Sequence, residues 1–272
     1  MKQAKKDYLM GAIVGDYMGS CYEFSHCTNY NFIVSPAQND ITDDTILTIA
    51  IADAAMSKTP YNMALRYWGN KFPHPMGGYG AAFSNWLAYG NEPYYSFGNG
   101  AAMRVSAIGW LYDTLEETME QAYRATEVTH NHPEGIKGGC AVAAAIYLLR
   151  TGGNKEQLKQ LMQEQFSYDM DFTLDELRPN YGFRESCMES VPVAIQCYLE
   201  SHSWEDAVRL AVSMGGDADT LGAITGAVAL ADPNYNITPY LLQQAMWKLT
   251  EQQKAVVTEF YDLVSSRLEK NS

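Results

Sequence analysis

Long apolar segments rich in alanine dominate this sequence, and they constrain its fold more than any other feature. Residues 45–56 read TILTIAIADAAM, and residues 139–149 read GCAVAAAIYLL. Both segments are longer than a typical strand and have few polar interruptions, which is the pattern of buried helices. Three further segments share this pattern: 187–200, 204–214 and 218–231.

The rest of the chain also favours helices. Ser203 stands where the N-cap of the 204–214 helix is expected, with acidic residues in the first turn. Near the C-terminus, one face of a helix or helix pair is predicted from the spacing of Leu242, Met246, Leu249, Val256, Phe260 and Val264. The best strand candidate, YNFIVS at 30–35, is short. We therefore predict an all-α fold, one domain over residues 1–272, with function carried on loops at helix ends.

Composition excludes several classes of protein. The 272 residues carry a formal charge of −13, which argues against binding to nucleic acid or to an anionic membrane surface. A small anionic ligand held by a metal or by helix N-termini stays compatible with that charge. No stretch approaches about 20 consecutive apolar residues, and no signal-like segment follows the N-terminal lysines. The five cysteines are dispersed, as expected of reduced thiols, so we predict a cytoplasmic protein.

Two acidic clusters precede two of the apolar segments. Residues 42–45 read TDDT, and residues 215–220 read GGDADT. Helix capping explains one carboxylate or hydroxyl at each site, but each cluster offers two carboxylates as well as hydroxyls. If both clusters face one cleft, a hard cation is needed to neutralise them, and oxygen ligands favour Mg²⁺, Mn²⁺ or Ca²⁺ over Zn²⁺. The sequence leaves open whether the clusters meet.

A third feature is Glu23, which follows an apolar segment with glycines at 11, 15 and 19. The glycine spacing predicts a smooth stripe for close helix packing. Glu23 is then either a solvated residue at the end of a tight helix crossing or a functional acid.

Two loops add weaker signals. Residues 96–104, SFGNGAAMR, form a glycine-rich entry to a helix, which suits phosphate binding but also occurs in ordinary helix–helix turns. Residues 129–135, THNHPEG, contain an H-x-H pair, but no further histidine or cysteine stands at zinc-ligand spacing. Turn histidines before a proline-initiated helix are the simpler interpretation.

Together these segments resemble the ADP-ribosylglycohydrolase family, which includes the enzyme that removes ADP-ribose from dinitrogenase reductase. Six stretches match in the family's order: GDYMGSCYE (15–23), TDDT (42–45), GGYGAAF (77–83), SFGNGAAMR (96–104), THNHPEGIKGG (129–139) and GGDADTLGAITGA (215–227). The resemblance implies an all-α orthogonal bundle with a two-metal centre in a central cleft.

The resemblance also assigns roles by position. The implied metal ligands are Thr42, Asp43, Asp44, Asp217, Asp219 and Thr220, with Asp219 bridging two Mg²⁺ ions for which Mn²⁺ can substitute. The candidate catalytic acids and bases are Glu23, Asp44 and Asp217. The implied substrate-binding residues are Gly78, Gly80, Ser96, Phe97, Asn99 and His132, around the diphosphate and the distal ribose.

The expected activity is Mg²⁺-dependent hydrolysis of the bond between ADP-ribose and a modified target, releasing ADP-ribose. The partner is then an ADP-ribosylated protein, modified on a residue such as arginine or serine, or a small ADP-ribose derivative, and a monomer is expected. The alternatives are a catalytically inactive ADP-ribose-binding or structural protein of the same fold and a metal-dependent phosphoesterase. Rim residues select the linkage, and four candidates in polar, aromatic loops are Tyr94, Tyr95, Tyr181 and Arg184.

Overall fold

The computed structural model of the protein describes residues 8–90 and 92–270. Fourteen α-helices lie in these residues: α1 (Met10–Gly19), α2 (Asp43–Ser57), α3 (Tyr61–Lys71), α4 (Ala81–Ala88), α5 (Ser106–Leu111), α6 (Leu115–Glu127), α7 (Pro133–Arg150), α8 (Lys155–Glu164), α9 (Leu174–Leu177), α10 (Cys187–Glu200), α11 (Trp204–Val212), α12 (Ala218–Ala231), α13 (Pro239–Lys248) and α14 (Glu251–Lys270). The described residues contain no strand, only two isolated bridges. The all-α prediction is confirmed.

Helix starts follow the sequence signals. The Ser203 side chain accepts a hydrogen bond from the backbone N–H of Asp206 and caps α11, as predicted. Thr42 caps α2 in the same way through the N–H of Asp44. The ring of His132 caps α7 by accepting from the N–H of Glu134. Each cap satisfies a backbone donor that the helix itself leaves free.

The centre of the fold is a crossing of α1 and α12 without side chains between them. A Cβ atom at Gly15 would overlap the carbonyl group of Gly222, and one at Gly11 would overlap that of Gly226. Every residue of α12 is buried, so this helix forms the middle of the core. Helices α7, α10 and α11 pack around α12, while α2 lies against α1. The predicted glycine stripe is therefore a close helix crossing.

The strand candidate at 30–35 does not form a strand. This segment is irregular, with Phe32 buried and Ile33 72% exposed. Its carbonyls are satisfied by side chains instead of a neighbouring strand: the Tyr22 hydroxyl donates to the Ile33 carbonyl at 2.7 Å, and Arg209 Nη1 donates to that of Phe32 at 3.1 Å.

Two composition-based expectations bear on the described residues. None of their helices combines the length and apolar character that crossing a bilayer requires. All five cysteines are free thiols, as expected. The expectation about an N-terminal signal, and the ends of the predicted 1–272 domain, fall partly on residues 1–7 and 271–272, which lie outside the described residues.

Candidate active site

A cleft of about 700 Å³ opens where the end of α1 and the starts of α2 and α12 come together. The α1–α12 crossing fixes this meeting point, because it places the C-terminal end of α1 beside the N-terminal end of α12. At Gly19, an added Cβ would overlap the backbone of Ala218. The cleft therefore lies at one end of the close α1–α12 crossing.

The two acidic clusters converge in this cleft. Asp44 Oδ2 accepts a hydrogen bond from the hydroxyl of Thr42 at 3.2 Å and from that of Thr220 at 3.3 Å. This carboxylate thus joins the start of α2 to the start of α12, which are 176 positions apart. These contacts show that the two acidic clusters meet in one cleft.

Glu23 joins the same group. One oxygen each from Glu23, Asp217 and Asp219 lie within 4.8 Å of one another, a grouping that suits a metal ion. A Cβ at Gly77 would overlap the Glu23 carboxylate, and Gly77 has a φ of +76°, a conformation that favours glycine. The solvated-end interpretation of Glu23 does not fit this partly enclosed position.

Capping explains only part of the two clusters. Thr42 is a true N-cap, but Asp217 makes no side-chain cap to α12. Instead, Asp217 Oδ2 accepts from Asn99 Nδ2 at 2.7 Å, which connects it to the glycine-rich loop. Asp44 Oδ1 is buried with no hydrogen-bond partner among the described residues. An unpaired buried carboxylate oxygen is costly unless a cation compensates it.

Burial raises the pKa of every carboxyl in the group. The pKa values of Asp43, Asp44 and Asp219 lie well above the usual range because the groups are desolvated and then repelled by neighbouring carboxylates. Burial also raises the pKa of Asp217. For Glu23, burial and then the charges of Asp217, Asp16 and Glu185 raise the pKa to about 8. Divalent cations would remove this accumulated repulsion.

Asp16 is a site residue that the sequence interpretation missed. It is fully buried in α1, and its Oδ2 accepts from the N–H groups of Thr42 at 3.0 Å and Thr45 at 3.1 Å and from the Thr45 hydroxyl. Burial raises its pKa to about 6, although these hydrogen bonds act in the opposite direction. A lone acid inside a glycine-rich apolar helix was the available signal.

Most predicted substrate-binding residues line the cleft: Gly78, Gly80, Ser96, Phe97 and Asn99. His132 does not. Its ring packs edge-on against Tyr95 and Phe97, with ring centroids 4.7 and 5.3 Å apart, and so supports Phe97 from behind. The histidine that lines the cleft is His130.

His130 lies at the end of a hydrogen-bond chain that starts at Arg104. Arg104 Nη2 donates to the Thr129 hydroxyl at 2.6 Å, and that hydroxyl lies 2.8 Å from His130 Nδ1. Because a hydroxyl oxygen can accept two hydrogen bonds, these contacts are compatible with either tautomer of the ring. Burial, followed by the charge of Arg104, lowers the His130 pKa and keeps the ring neutral. Nε2 lies beside the Gly98–Gly100 loop.

The four residues proposed as rim residues from the sequence lie in different environments. Tyr94 lines the cleft, and Tyr95 is exposed beside it. Tyr181 is buried against the backbone of Gly216. Arg184 forms a 3.0 Å ion pair with Glu189, which lines the cleft. The aromatic rings that do line the mouth, Phe24 and Phe183, were not singled out from the sequence.

Comparison with known proteins gives concordant matches. The sequence model of the ADP-ribosylglycohydrolase family matches residues 4–232. ADP-ribosylhydrolase ARH3 of Mus musculus is 26% identical over 87% of this chain and 85% of the mouse protein. ADP-ribosylarginine hydrolase Tri1 of Pseudomonas putida is 24% identical over 82% of this chain and 69% of its own length.

Among solved structures, a chain of an "ADP-ribosylglycohydrolase-related protein complex" superimposes with a TM-score of 0.73 at 21% sequence identity. The match covers 97% of this chain and all of that one, and it shows the shared fold.

Proposed function

Since the chain belongs to the ADP-ribosylglycohydrolase family, we propose that it is a hydrolase that cleaves the glycosidic bond between ADP-ribose and a modified acceptor. The observation that carries this proposal is the convergence of two acidic helix starts and Glu23 beside a glycine-rich loop. Asn99 links the two parts, because it belongs to that loop and donates to Asp217.

The donor set fits hard divalent cations. It consists of carboxylate and hydroxyl oxygens, holds an unpartnered oxygen on Asp44, and has no sulfur ligand. We expect two Mg²⁺ ions, replaceable by Mn²⁺, to be held by Thr42, Asp43, Asp44, Asp217, Asp219 and Thr220. When bound, such ions stabilise negative charge on oxygen and lower the pKa of water.

Glu23 is the expected proton carrier. In the metal-free protein its pKa is about 8, because the side chain is partly buried among other carboxylates, and bound divalent cations would lower this pKa. A group that can hold and release a proton near the working pH suits general acid–base catalysis. Asp44 and Asp217 are the alternatives for this role, but each is engaged with a neighbouring donor.

The loops beside the acids are expected to bind ADP-ribose. Gly78 and Gly80 have no atom within 4 Å of an added Cβ, so the backbone there leaves room for a phosphate. Ser96, Phe97 and the neutral ring of His130 line the same cleft. Neutral polar groups can orient a diphosphate without forming ion pairs with the carboxylates that are expected to hold the cations.

The proposed reaction is tested by release of free ADP-ribose from mono-ADP-ribosylated peptides, run with Mg²⁺ and with EDTA. Release that requires the metal supports the proposal. Binding of ADP-ribose without release from any ADP-ribosylated substrate would favour the binding-protein alternative, and release of AMP or phosphate would favour the phosphoesterase.

A further inference from the structure

We propose that Arg104 is a positioning residue: acting through the Thr129 hydroxyl, it holds His130 so that an Nε2–H donor faces the diphosphate of ADP-ribose. This inference rests on the proposed function, which places the diphosphate at the glycine-rich loop. It assigns a task to a buried cation that the expected metal centre does not use.

Arg104 carries a buried charge whose partners are neutral. Its side chain is fully buried and borders the cleft. Nη2 donates to the Ala125 carbonyl at 3.2 Å and to the Thr129 hydroxyl at 2.6 Å. Nε and Nη1 have no hydrogen-bond partner among the described residues. Burying a charge without a counter-ion costs stability, and an anionic ligand in the cleft would offset part of that cost.

Thr129 connects this charge to His130. The hydroxyl that accepts from Arg104 lies 2.8 Å from His130 Nδ1. When Thr129 donates to Nδ1, the hydrogen bonds run in one direction away from the cation and polarise one another, and the proton of the neutral ring is on Nε2. The opposite tautomer would direct a second N–H at the oxygen that already accepts from Arg104. The nearby charge therefore favours the Nε2–H form.

The other end of the His130 ring is open to a ligand. Nε2 lies 3.2 Å from a Cβ built at Gly100 and 3.5 Å from one built at Gly98, so it stands against the glycine-rich loop. The described residues make no hydrogen bond to Nε2, and His130 lines the cleft. The Tyr94 ring packs edge-on against His130 with centroids 5.6 Å apart, which restricts the ring plane. His130 is thus held at Nδ1 and presents Nε2 to the ligand.

A diphosphate matches this arrangement. Its oxygens accept hydrogen bonds, and its negative charge is attracted by a guanidinium in surroundings of low dielectric constant. The expected cations are held at the starts of α2 and α12, whereas the hydrogen bonds of Arg104 go to Ala125 and Thr129. Loss of the chain should therefore weaken binding of ADP-ribose and leave Mg²⁺ binding unchanged.

Thr129→Val tests the chain with little change of shape. Valine lacks the hydroxyl, so the contacts to Arg104 and His130 are lost, while Arg104 keeps its bond to Ala125. In Mg²⁺ we expect the Kd for ADP-ribose to rise by about tenfold. The KM for an ADP-ribosylated peptide should rise equally, with little change in kcat. Calorimetry with ADP-ribose and with Mg²⁺, and steady-state kinetics, measure these effects.

Thr126→Val is the matched control. Thr126 is also fully buried, and its hydroxyl has no hydrogen-bond partner among the described residues. Its Kd for ADP-ribose should equal that of the wild type. An unchanged Kd in Thr129→Val, or an equal rise in both threonine variants, would refute the positioning role and leave the proposed function standing. A wild type that does not bind ADP-ribose would overturn both.

Substitutions of Arg104 itself separate its charge from its shape. Arg104→Met should raise the Kd for ADP-ribose by at least about tenfold, and Arg104→Lys, which keeps the cation, should recover part of the affinity. Equal Kd values in wild type and a folded Arg104→Met protein would contradict the proposal. If neither variant folds, Thr129→Val and the spectrum of His130 decide the question.

The ring nitrogens of His130 give a direct readout. A two-dimensional ¹⁵N spectrum of labelled protein distinguishes the two tautomers, and His130→Gln identifies the signals. With ADP-ribose bound, we expect the Nε2–H form in the wild type and a mixture of tautomers in Thr129→Val. The Nδ1–H form in the wild-type complex would overturn the inference, whatever the affinities.

Discussion

The role of Asp219 can be tested by a substitution that is expected to leave the fold intact. Its Oδ1 accepts from the N–H of Thr220 at 3.0 Å, and asparagine preserves this oxygen. Asp219→Asn should therefore keep the helical content but remove a negative charge from the expected metal centre. We expect activity to fall by at least about a hundredfold, together with Mg²⁺ affinity.

Calorimetric Mg²⁺ titration, an ADP-ribose release assay and far-UV circular dichroism measure these effects. Asp175→Asn, at an exposed position in α9, serves as the control for the same change. Full activity of Asp219→Asn would contradict the two-metal assignment.

His26 is expected to position the metal loop without binding metal itself. Its Nδ1 lies 2.7 Å from the Gly215 carbonyl, to which it donates, and its backbone has an unusual φ of +42°. This bond ties the segment after Glu23 to the loop before Asp217. Loss of such supporting contacts typically costs metal sites tenfold or more in affinity, so His26→Ala should weaken Mg²⁺ binding by about tenfold.

Asparagine tolerates positive φ and retains an N–H donor, so His26→Asn should recover part of the affinity. His202→Ala provides an exposed histidine control. Equal Mg²⁺ affinities in His26→Ala and wild type would refute the positioning role.

Residue types predicted which chain segments come together at this cleft better than they predicted its detailed geometry. Both acidic clusters were visible because each breaks the apolar pattern at a helix start. His130 and His132 are two positions apart in one turn, and only the ring contacts show that His130 faces the cleft. Asp16 accepts a hydrogen bond from the N–H of Thr42 at the start of α2, and this role becomes visible only when α2 is placed against α1.

At the scale of elements, the α1–α12 crossing has a direct test. An added methyl group at Gly15 would overlap the backbone of Gly222, which cannot move aside as a flexible side chain can. Gly15→Ala should therefore lower the free energy of unfolding by about 1–3 kcal/mol or more, as overpacking does. Thermal and urea unfolding measure this difference.

Gly182→Ala is the matched control, because no atom lies within 4 Å of an added Cβ there. A Gly15→Ala protein as stable as Gly182→Ala would show that the two helices can separate at little cost.

The helices were predictable because their apolar segments are long and uninterrupted, as in α2, α7 and α12. The segment 30–35 was a strand candidate because its residue types favour a strand. Tertiary contacts decide its conformation instead. Hydrogen bonds from Tyr22 and Arg209 satisfy its backbone, and both donors lie outside the segment. The sequence pattern within the segment cannot indicate hydrogen-bond donors that lie elsewhere in the chain.

At the scale of the whole molecule, the acidic centre makes the stability of the metal-free protein depend on pH. Folding raises the pKa of Asp16 from 3.8 to about 6 and that of Glu23 from 4.5 to about 8. A carboxyl with a raised pKa is easier to bury protonated, so its folded state is favoured at low pH and penalised as pH rises to about 8. In EDTA, Tm should fall between about pH 5 and about pH 8.5.

Mg²⁺ should restore Tm most strongly at the alkaline end, where the carboxylates are ionised. Glu23→Gln removes one of the titrating groups and should make the decline in EDTA shallower. A Tm that rises steadily with pH in EDTA would contradict the proposed electrostatics.

The glycine contact between α1 and α12 has a consequence for how this molecule can change over evolutionary time. The separation between the C-terminal end of α1, which leads to Glu23, and the acidic start of α12 is set by contacts between main-chain atoms. Side chains elsewhere in the core can therefore be exchanged without altering the span across which the site is assembled. A few glycines at one crossing hold the site residues at a fixed spacing. Most other core residues can therefore change during evolution.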